Sequence, residues 1–184
     1  MIEVEIKLKI EDKNIVKNKL LSLGFTESDI LTETDTYFDN NTQDIRNNDS
    51  ALRIRETVNH TKSTHYCQIN FKGKKLDSKT MSRPEYETVV DDAISITGIL
   101  NGLGFYSVEP KVIKKRIELK SSDMNACIDT VEGLGNFLEL ESVIEDSGSK
   151  DIELKKIEEI LTELGYRIED TMTVSYLSQL QNML

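Results

Sequence analysis

Residues 1–10 read MIEVEIKLKI, and from Glu3 to Ile10 the chain alternates without a break. Glu3, Glu5, Lys7 and Lys9 fall on one side, Val4, Ile6, Leu8 and Ile10 on the other. A period of two is that of a half-buried β-strand. Residues two apart on a strand stand about 7 Å from each other, so this strand sets two carboxylates side by side. What those carboxylates face decides the fold: water across an open sheet, or the opposite wall of a closed one.

The pattern returns along the chain. ALRIRE (51–56) sets Arg53 and Arg55 opposite Leu52 and Ile54, and YCQINFKG (66–73) sets Gln68, Asn70 and Lys72 opposite Cys67, Ile69 and Phe71. PEYETVV (84–90) places Glu85 and Glu87 on one side. KVIKKRIELK (111–120) places Lys114, Arg116, Glu118 and Lys120 against Ile113, Ile117 and Leu119, with Lys115 as the exception. NACIDTVEGLGNFLELESVI (125–144) carries Asp129 before a glycine turn and Glu139 and Glu141 after it.

Between these strands lie helices. DKNIVKNKLLSLGF (12–25), DDAISITGILNGLGF (91–105) and SKDIELKKIEEILTELGY (149–166) end alike, in spaced leucines, a glycine (24, 104 or 165) and an aromatic residue. Glycine at that place is where a helix exits through a left-handed residue. SYLSQLQNML (175–184) reads as a shorter helix with Tyr176, Leu177, Leu180 and Leu184 as an apolar stripe. The polar stretches DNNTQDIRNNDS (39–50), ETVNHTKSTHY (56–66) and GKKLDSKTMS (73–82) read as loops.

Each strand thus has one apolar and one charged face, and helices are available to cover the apolar one. Period alone favours an open sheet whose charged face meets solvent, because small barrels usually fill their interiors with apolar side chains. The rival is a sheet closed with its charges inside.

The chain has 184 residues, 38% of them hydrophobic and 30% charged, which suits one globular domain over residues 1–184. A formal net charge of -10 argues against a general grip on nucleic acid, which needs clustered Lys and Arg. No basic-then-apolar leader or apolar run near 18 residues is visible, so a cytoplasmic protein without a membrane span is expected. Cys67 and Cys127 are isolated, and His60 and His65 lie in a polar stretch, so a zinc site is not expected.

If the charged faces converge, Glu3, Glu5, Glu85, Glu87, Asp129, Glu139 and Glu141 share a lumen with Lys7, Arg53, Arg55, Lys72, Lys114 and Arg116. Two like charges about 7 Å apart repel by roughly 2 kcal/mol at an effective dielectric near ~20. Such acids need cations or metal ions among them. Carboxylate oxygens suit hard divalent ions, and Lys and Arg suit phosphate oxygens. For any single pair a solvated strand face with weak ion pairs is the simpler reading. A site with both kinds of charge in alternating strips suits a metal-bound polyphosphate, and six such strands in succession leave the two readings open.

The order of motifs carries a resemblance. E-x-E-x-K (Glu3, Glu5, Lys7), DTYFD (35–39), LRIR (52–55), FKG (71–73), R-x-E-x-E (Arg83, Glu85, Glu87), K-x-R (Lys114, Arg116) and DTVEGLGNFLELE (129–141) together resemble the CYTH superfamily of triphosphate tunnel metalloenzymes. The last stretch looks most like its class IV adenylate cyclase branch. The resemblance implies an α+β fold: a closed, mostly antiparallel eight-stranded β-barrel with a polar lumen and helices packed outside. It implies Mg2+ or Mn2+ on Glu3, Glu5, Asp129, Glu139 and Glu141, and a triphosphate along Lys7, Arg53, Arg55, Lys72, Lys114 and Arg116. Glu3, Glu5, Lys7, Lys114 and Arg116 would take part in catalysis. Glu85 and Glu87 would support the basic residues or a second metal, and Tyr37 and Phe38 read as strand and core residues. Relatives often carry a basic residue just before the Ser-Tyr of the last helix, where this chain has Thr173 and Val174.

The activity this implies is conversion of ATP to cyclic AMP and pyrophosphate. Hydrolysis of inorganic or organic triphosphate on the same site is the alternative, and a non-catalytic polyphosphate or nucleotide binder is a third. The expected partner is a small triphosphate such as ATP or inorganic triphosphate, with the chain a monomer or homodimer.

Overall fold

The computed structural model describes residues 2–76, 83–144 and 150–184, without the side chains of residues 2, 3, 144 and 150. Eight strands run β1 (Ile2–Ile10), β2 (Thr26–Asn40), β3 (Ala51–Asn59), β4 (Thr64–Lys72), β5 (Arg83–Val90), β6 (Phe105–Lys120), β7 (Asn125–Val131) and β8 (Gly135–Ile144). The helices are α1 (Lys13–Ser22), α2 (Asp44–Asn47), α3 (Ala93–Gly102), α4 (Lys150–Leu164) and α5 (Tyr176–Gln181).

Every strand pairing is antiparallel, in the order β1-β5-β4-β3-β2-β6-β7-β8. β1 pairs with β8 along its whole length, from Ile2↔Ile144 to Ile10↔Asn136. Its other edge meets β5 only at Ile2↔Pro84 and Glu3↔Arg83 among the described residues. Each strand thus has two neighbours, and the strongly curled sheet closes on itself through that short β1–β5 contact. The antiparallel eight-stranded α+β architecture expected from the resemblance holds, with closure between β1 and β5 limited to two residue pairs among the described residues. The flat solvent-facing sheet suggested by period alone is overturned too, because curling brings the charged faces together.

Two irregularities support the curl. β2 and β6 are the longest strands, and their register shifts between Glu27 and Asp29 and again between Asp35 and Tyr37. An extra residue on one strand bends it and increases its twist.

The convex face carries the apolar residues. Val4, Ile6, Leu8 and Ile10 of β1 pack with Leu138 and Leu140 of β8 against Val16 and Leu20 of α1 and Ile157, Leu161 and Leu164 of α4. A second cluster joins Phe38, Leu52, Ile54 and Cys67 to Leu100 of α3. With their apolar sides covered by helices, the strands present their charged sides to the concave interior. The helices stop as their sequence predicts: Gly24 and Gly165 take φ of +92° and +91° just beyond α1 and α4, where a side chain would be strained. No helix among the described residues is long and apolar enough to cross a membrane.

α2 lies in a stretch read from sequence as plain loop. Asp39 builds it by accepting hydrogen bonds from the backbone N–H groups of Ile45 and Arg46. The hairpin between β3 and β4 absorbs most of the second polar stretch. Of the third, residues 77–82 lie outside the described residues.

Candidate active site

Strand register alone pairs most of the interior charges. Directly opposed across neighbouring strands are Asp35 and Arg55, Glu33 and Lys114, Arg116 and Asp129, Lys7 and Glu139, and Lys72 and Glu85. Residues so placed have Cβ atoms about 5 Å apart, so opposite charges meet with little rearrangement.

Two anchors dominate. Asp129, fully buried on β7, accepts from Arg116 Nε and Nη2 at 2.7 Å each, from Lys114 Nζ at 3.1 Å and from the Tyr176 hydroxyl at 3.2 Å. Asp35 accepts from Arg55 Nε at 2.6 Å and Nη2 at 2.8 Å, and from Arg53 Nη1 at 3.2 Å. Glu33 links them, 3.1 Å from Arg55 Nη1 and 3.1 Å from Lys114 Nζ. Such two-pronged Arg–carboxylate contacts fix orientation as well as charge. Burial alone would raise the pKa values of Glu33 and Asp35. The surrounding cations together outweigh it, Arg55 first in each case, with Lys114 and Arg116 at Glu33 and Arg53 at Asp35, and both stay below the ordinary carboxylate value.

Two cations keep capacity in reserve. Lys7 is 2% exposed, yet among the described residues its ammonium forms no ion pair or hydrogen bond, and it lies 4.4 Å from the centroid of the Tyr176 ring. Burial pushes its pKa below the ordinary lysine value, against the opposing pull of Glu139 and Glu5. Arg53 keeps a buried Nε without a partner. Lys72 lies 2.8 Å from Glu85 and 3.8 Å from Glu5.

All six expected phosphate-facing residues, Lys7, Arg53, Arg55, Lys72, Lys114 and Arg116, line one cavity of about 820 Å³. Glu5, Glu139, Glu141, Glu85 and Glu87 line it too, Glu87 from an exposed position. Asp129 does not; it stands behind the wall as the anchor of Lys114 and Arg116. An apolar floor closes part of the space, where Val112, Val131 and Phe137 meet Tyr176, Leu177 and Leu180 from the last helix and the strand residue Tyr37.

The acids Glu5 and Glu141 break the rule of opposite pairing, since they face each other across β1 and β8. Burial, and after it the Glu5 charge, pushes the Glu141 carboxyl above its usual pKa. At Glu139, by contrast, Arg116, Lys114 and Lys7 overcome burial and hold the carboxyl well below the usual range. Glu3 is two residues from Glu5 on β1, opposite Val143 and Arg83, with its side chain outside the described residues.

Residues 1–176 match the family model of the CYTH domain. The chain belongs to the CYTH family. Among similar proteins is one from Methanocaldococcus jannaschii named "Putative adenylate cyclase MJ0240", 41% identical over 177 residues, covering 96% of this chain and 97% of that one. The PH1819 protein of Pyrococcus horikoshii OT3 has the same fold, with a TM-score of 0.88, 29% identity and 99% of each chain covered. A Hippeastrum protein described as a "Putative adenylyl cyclase" with a dominant triphosphatase activity shares the fold at 19% identity and a TM-score of 0.67, over 98% of this chain and 96% of that one.

CYTH enzymes are metal-dependent, and the acids here can be tested for that role. Among the described residues no three His, Cys, Asp or Glu form a ready cluster for an ion. What this CYTH chain offers is the Glu5–Glu141 pair, like-charged, buried at Glu5, half-buried at Glu141 and partly relieved by Lys72. That fits a hard divalent ion of the Mg2+ type, which is usually held by one or two carboxylates and completes its shell with water and substrate phosphates.

Three site residues escaped the sequence reading. Glu33 and Asp35 alternate with Thr32, Thr34 and Thr36 in TETDTYFD, and that alternation was the available signal. Tyr176 reads as an apolar helix residue, and nothing in the sequence announces its contact with Asp129.

Proposed function

We propose that this protein is a divalent-cation-dependent enzyme that converts ATP to cyclic AMP and pyrophosphate. The observation that carries the reading is the convergence of six cations on one cavity, where among the described residues Lys7 forms no ion pair and Arg53 Nε has no hydrogen-bond partner. The Methanocaldococcus relative, whose name is that of an adenylate cyclase, supports the reaction.

Lys7, Arg53, Arg55, Lys72, Lys114 and Arg116 bind phosphate oxygens and take up charge that grows on the leaving pyrophosphate. Because Asp35, Glu33 and Asp129 already hold the guanidinium and ammonium groups in place, little reorganisation is left for the moment of reaction. Glu5 and Glu141, with Glu139 beside them and Glu3 next along β1, are the residues that would hold Mg2+ or Mn2+. Such an ion supplies Lewis-acid polarisation of phosphate oxygens and lowers the pKa of a hydroxyl or water bound to it. Asp129, which the resemblance would also make a ligand, is assigned instead to orienting Lys114 and Arg116. In cyclisation the 3′-hydroxyl gives up its proton to water, its oxygen forms a bond to the α-phosphorus, and the bond from that phosphorus to the pyrophosphate oxygen breaks.

Hydrolysis is the second reading. A water nucleophile needs only the chain of phosphates, and the fold shared with the Hippeastrum protein, described as a triphosphatase, favours it. Incubation with ATP and with inorganic triphosphate, each with Mg2+ or Mn2+, separates the two. Cyclic AMP and pyrophosphate support the cyclase. Inorganic phosphate, released faster from inorganic triphosphate than from ATP, replaces it with a hydrolase.

A further inference from the structure

An apolar helix residue needs only to fill volume, but Tyr176 has charged groups around it. Its ring centroid lies 4.4 Å from Lys7 Nζ and 5.6 Å from Lys114 Nζ, and its hydroxyl donates to Asp129 Oδ2 at 3.2 Å. The ring packs edge-on against Phe137 with centroids 4.9 Å apart, so its own plane is fixed by the apolar floor.

Lys114 also has Glu33 and Asp129, each at 3.1 Å, but Lys7 has no carboxylate within ion-pair distance among the described residues. A desolvated ammonium without a paired anion is held best by the negative face of an aromatic ring, and that attraction strengthens as water is excluded. The backbone supports the same contact. Met172 N–H donates to the Lys7 carbonyl at 2.7 Å, and Thr171 bridges to Leu8, so the segment leading to Tyr176 is bound to the strand that carries Lys7. Ser175 then caps α5 by accepting from the Ser178 N–H.

We propose, resting on the reading of the cavity as a triphosphate site, that Tyr176 is a positioning residue. Its ring seats the Lys7 and Lys114 ammonium groups toward the phosphates. A plug that merely filled space would tolerate any apolar residue of similar size. A seat for cations requires a ring.

The test compares Tyr176→Phe with Tyr176→Leu, and with Tyr176→Met as a more adaptable filler if the leucine variant does not fold. Inorganic triphosphate binding is measured by calorimetry without metal, and lysine methylene signals are followed by NMR on protein carrying 13C-labelled lysine. Methylenes beside an aromatic face are shifted upfield by the ring. The phenylalanine variant should keep the shifted signals and bind within about 3-fold of the wild type, since the ring remains. The leucine or methionine variant should lose the shifted signals and bind about 10-fold more weakly. Wild-type affinity in the aliphatic variant overturns the proposal, and so does equal loss in the phenylalanine variant. If the wild-type protein does not bind triphosphate, the reading of the cavity fails instead. The lysine shifts then decide by themselves whether the ring seats the cations.

Discussion

Glu5 on β1 and Glu141 on β8 face each other across the ladder, both lining the cavity, with the Glu141 carboxyl raised first by burial and then by Glu5. Two like charges held together out of bulk water cost stability that a bound cation recovers. Glu5→Gln and Glu141→Gln should therefore leave the melting temperature unchanged or higher without metal. Both should lose metal-dependent turnover, as should Glu3→Gln. In the wild type, Mg2+ or Mn2+ at ~100 times its dissociation constant should stabilise the fold by about 2.7 kcal/mol. Melting curves with and without metal check this, and a full metal response in both Glu5 and Glu141 variants would remove the pair from the site.

Arg116 and Lys115 are neighbours on β6 with opposite fates, one buried against Asp129 and the other exposed. Arg116→Leu removes two of the contacts to a fully buried carboxylate and should cost about 3–5 kcal/mol of stability, together with triphosphate affinity. Lys115→Leu should change stability by less than ~0.5 kcal/mol and leave binding intact. Chemical denaturation and calorimetry of the two variants measure both effects. Equal behaviour would contradict the inward placement of Arg116.

How much of this was legible in the sequence differs by element. The alternation in β1, β3, β4 and β6 placed Lys7, Arg53, Arg55, Lys72, Lys114 and Arg116 on one face, because a strand's period follows directly from backbone geometry. Whether those faces met could not be read from period, since curling depends on bulges and long-range register, as at Glu27/Asp29. Only the order of motifs suggested convergence, and the two β1–β5 pairs complete it. The roles of Glu33, Asp35 and Asp129 as anchors depend on which cation each meets across a strand. Pairings between residues far apart in the chain, such as Glu33 with Lys114, are set by topology rather than by local pattern.

Acid should weaken the fold through the same anchors. Glu33 and Asp35 have pKa values depressed in the folded protein, so the unfolded chain takes up their protons first. Their contribution is present above the ordinary carboxylate pKa of about 4 and is lost as pH falls through that value toward the lower folded values. Stability measured by urea denaturation should therefore drop between about pH 5 and pH 3, and Asp35→Asn should flatten the decline while lowering stability at neutral pH. An unaltered slope in that variant would show that Asp35 is not one of the groups responsible.

Lys7 and Lys114 offer the sharpest separation of binding from folding, because both are buried lysines on the same cavity and, among the described residues, only Lys114 forms ion pairs. Replacing Lys114 by Met strands Glu33 and Asp129 and should cost about 3–5 kcal/mol of stability. Replacing Lys7 by Met removes an ammonium that burial has already made costly, so the melting temperature should hold or rise. Its charge-assisted contact to phosphate, worth roughly 1.5–3 kcal/mol, should nonetheless disappear, weakening inorganic triphosphate binding by about 10- to 150-fold. Thermal melts and calorimetry on the two variants give the four numbers needed. Should Lys7→Met bind triphosphate as the wild type does, the unengaged ammonium is not reserved for phosphate.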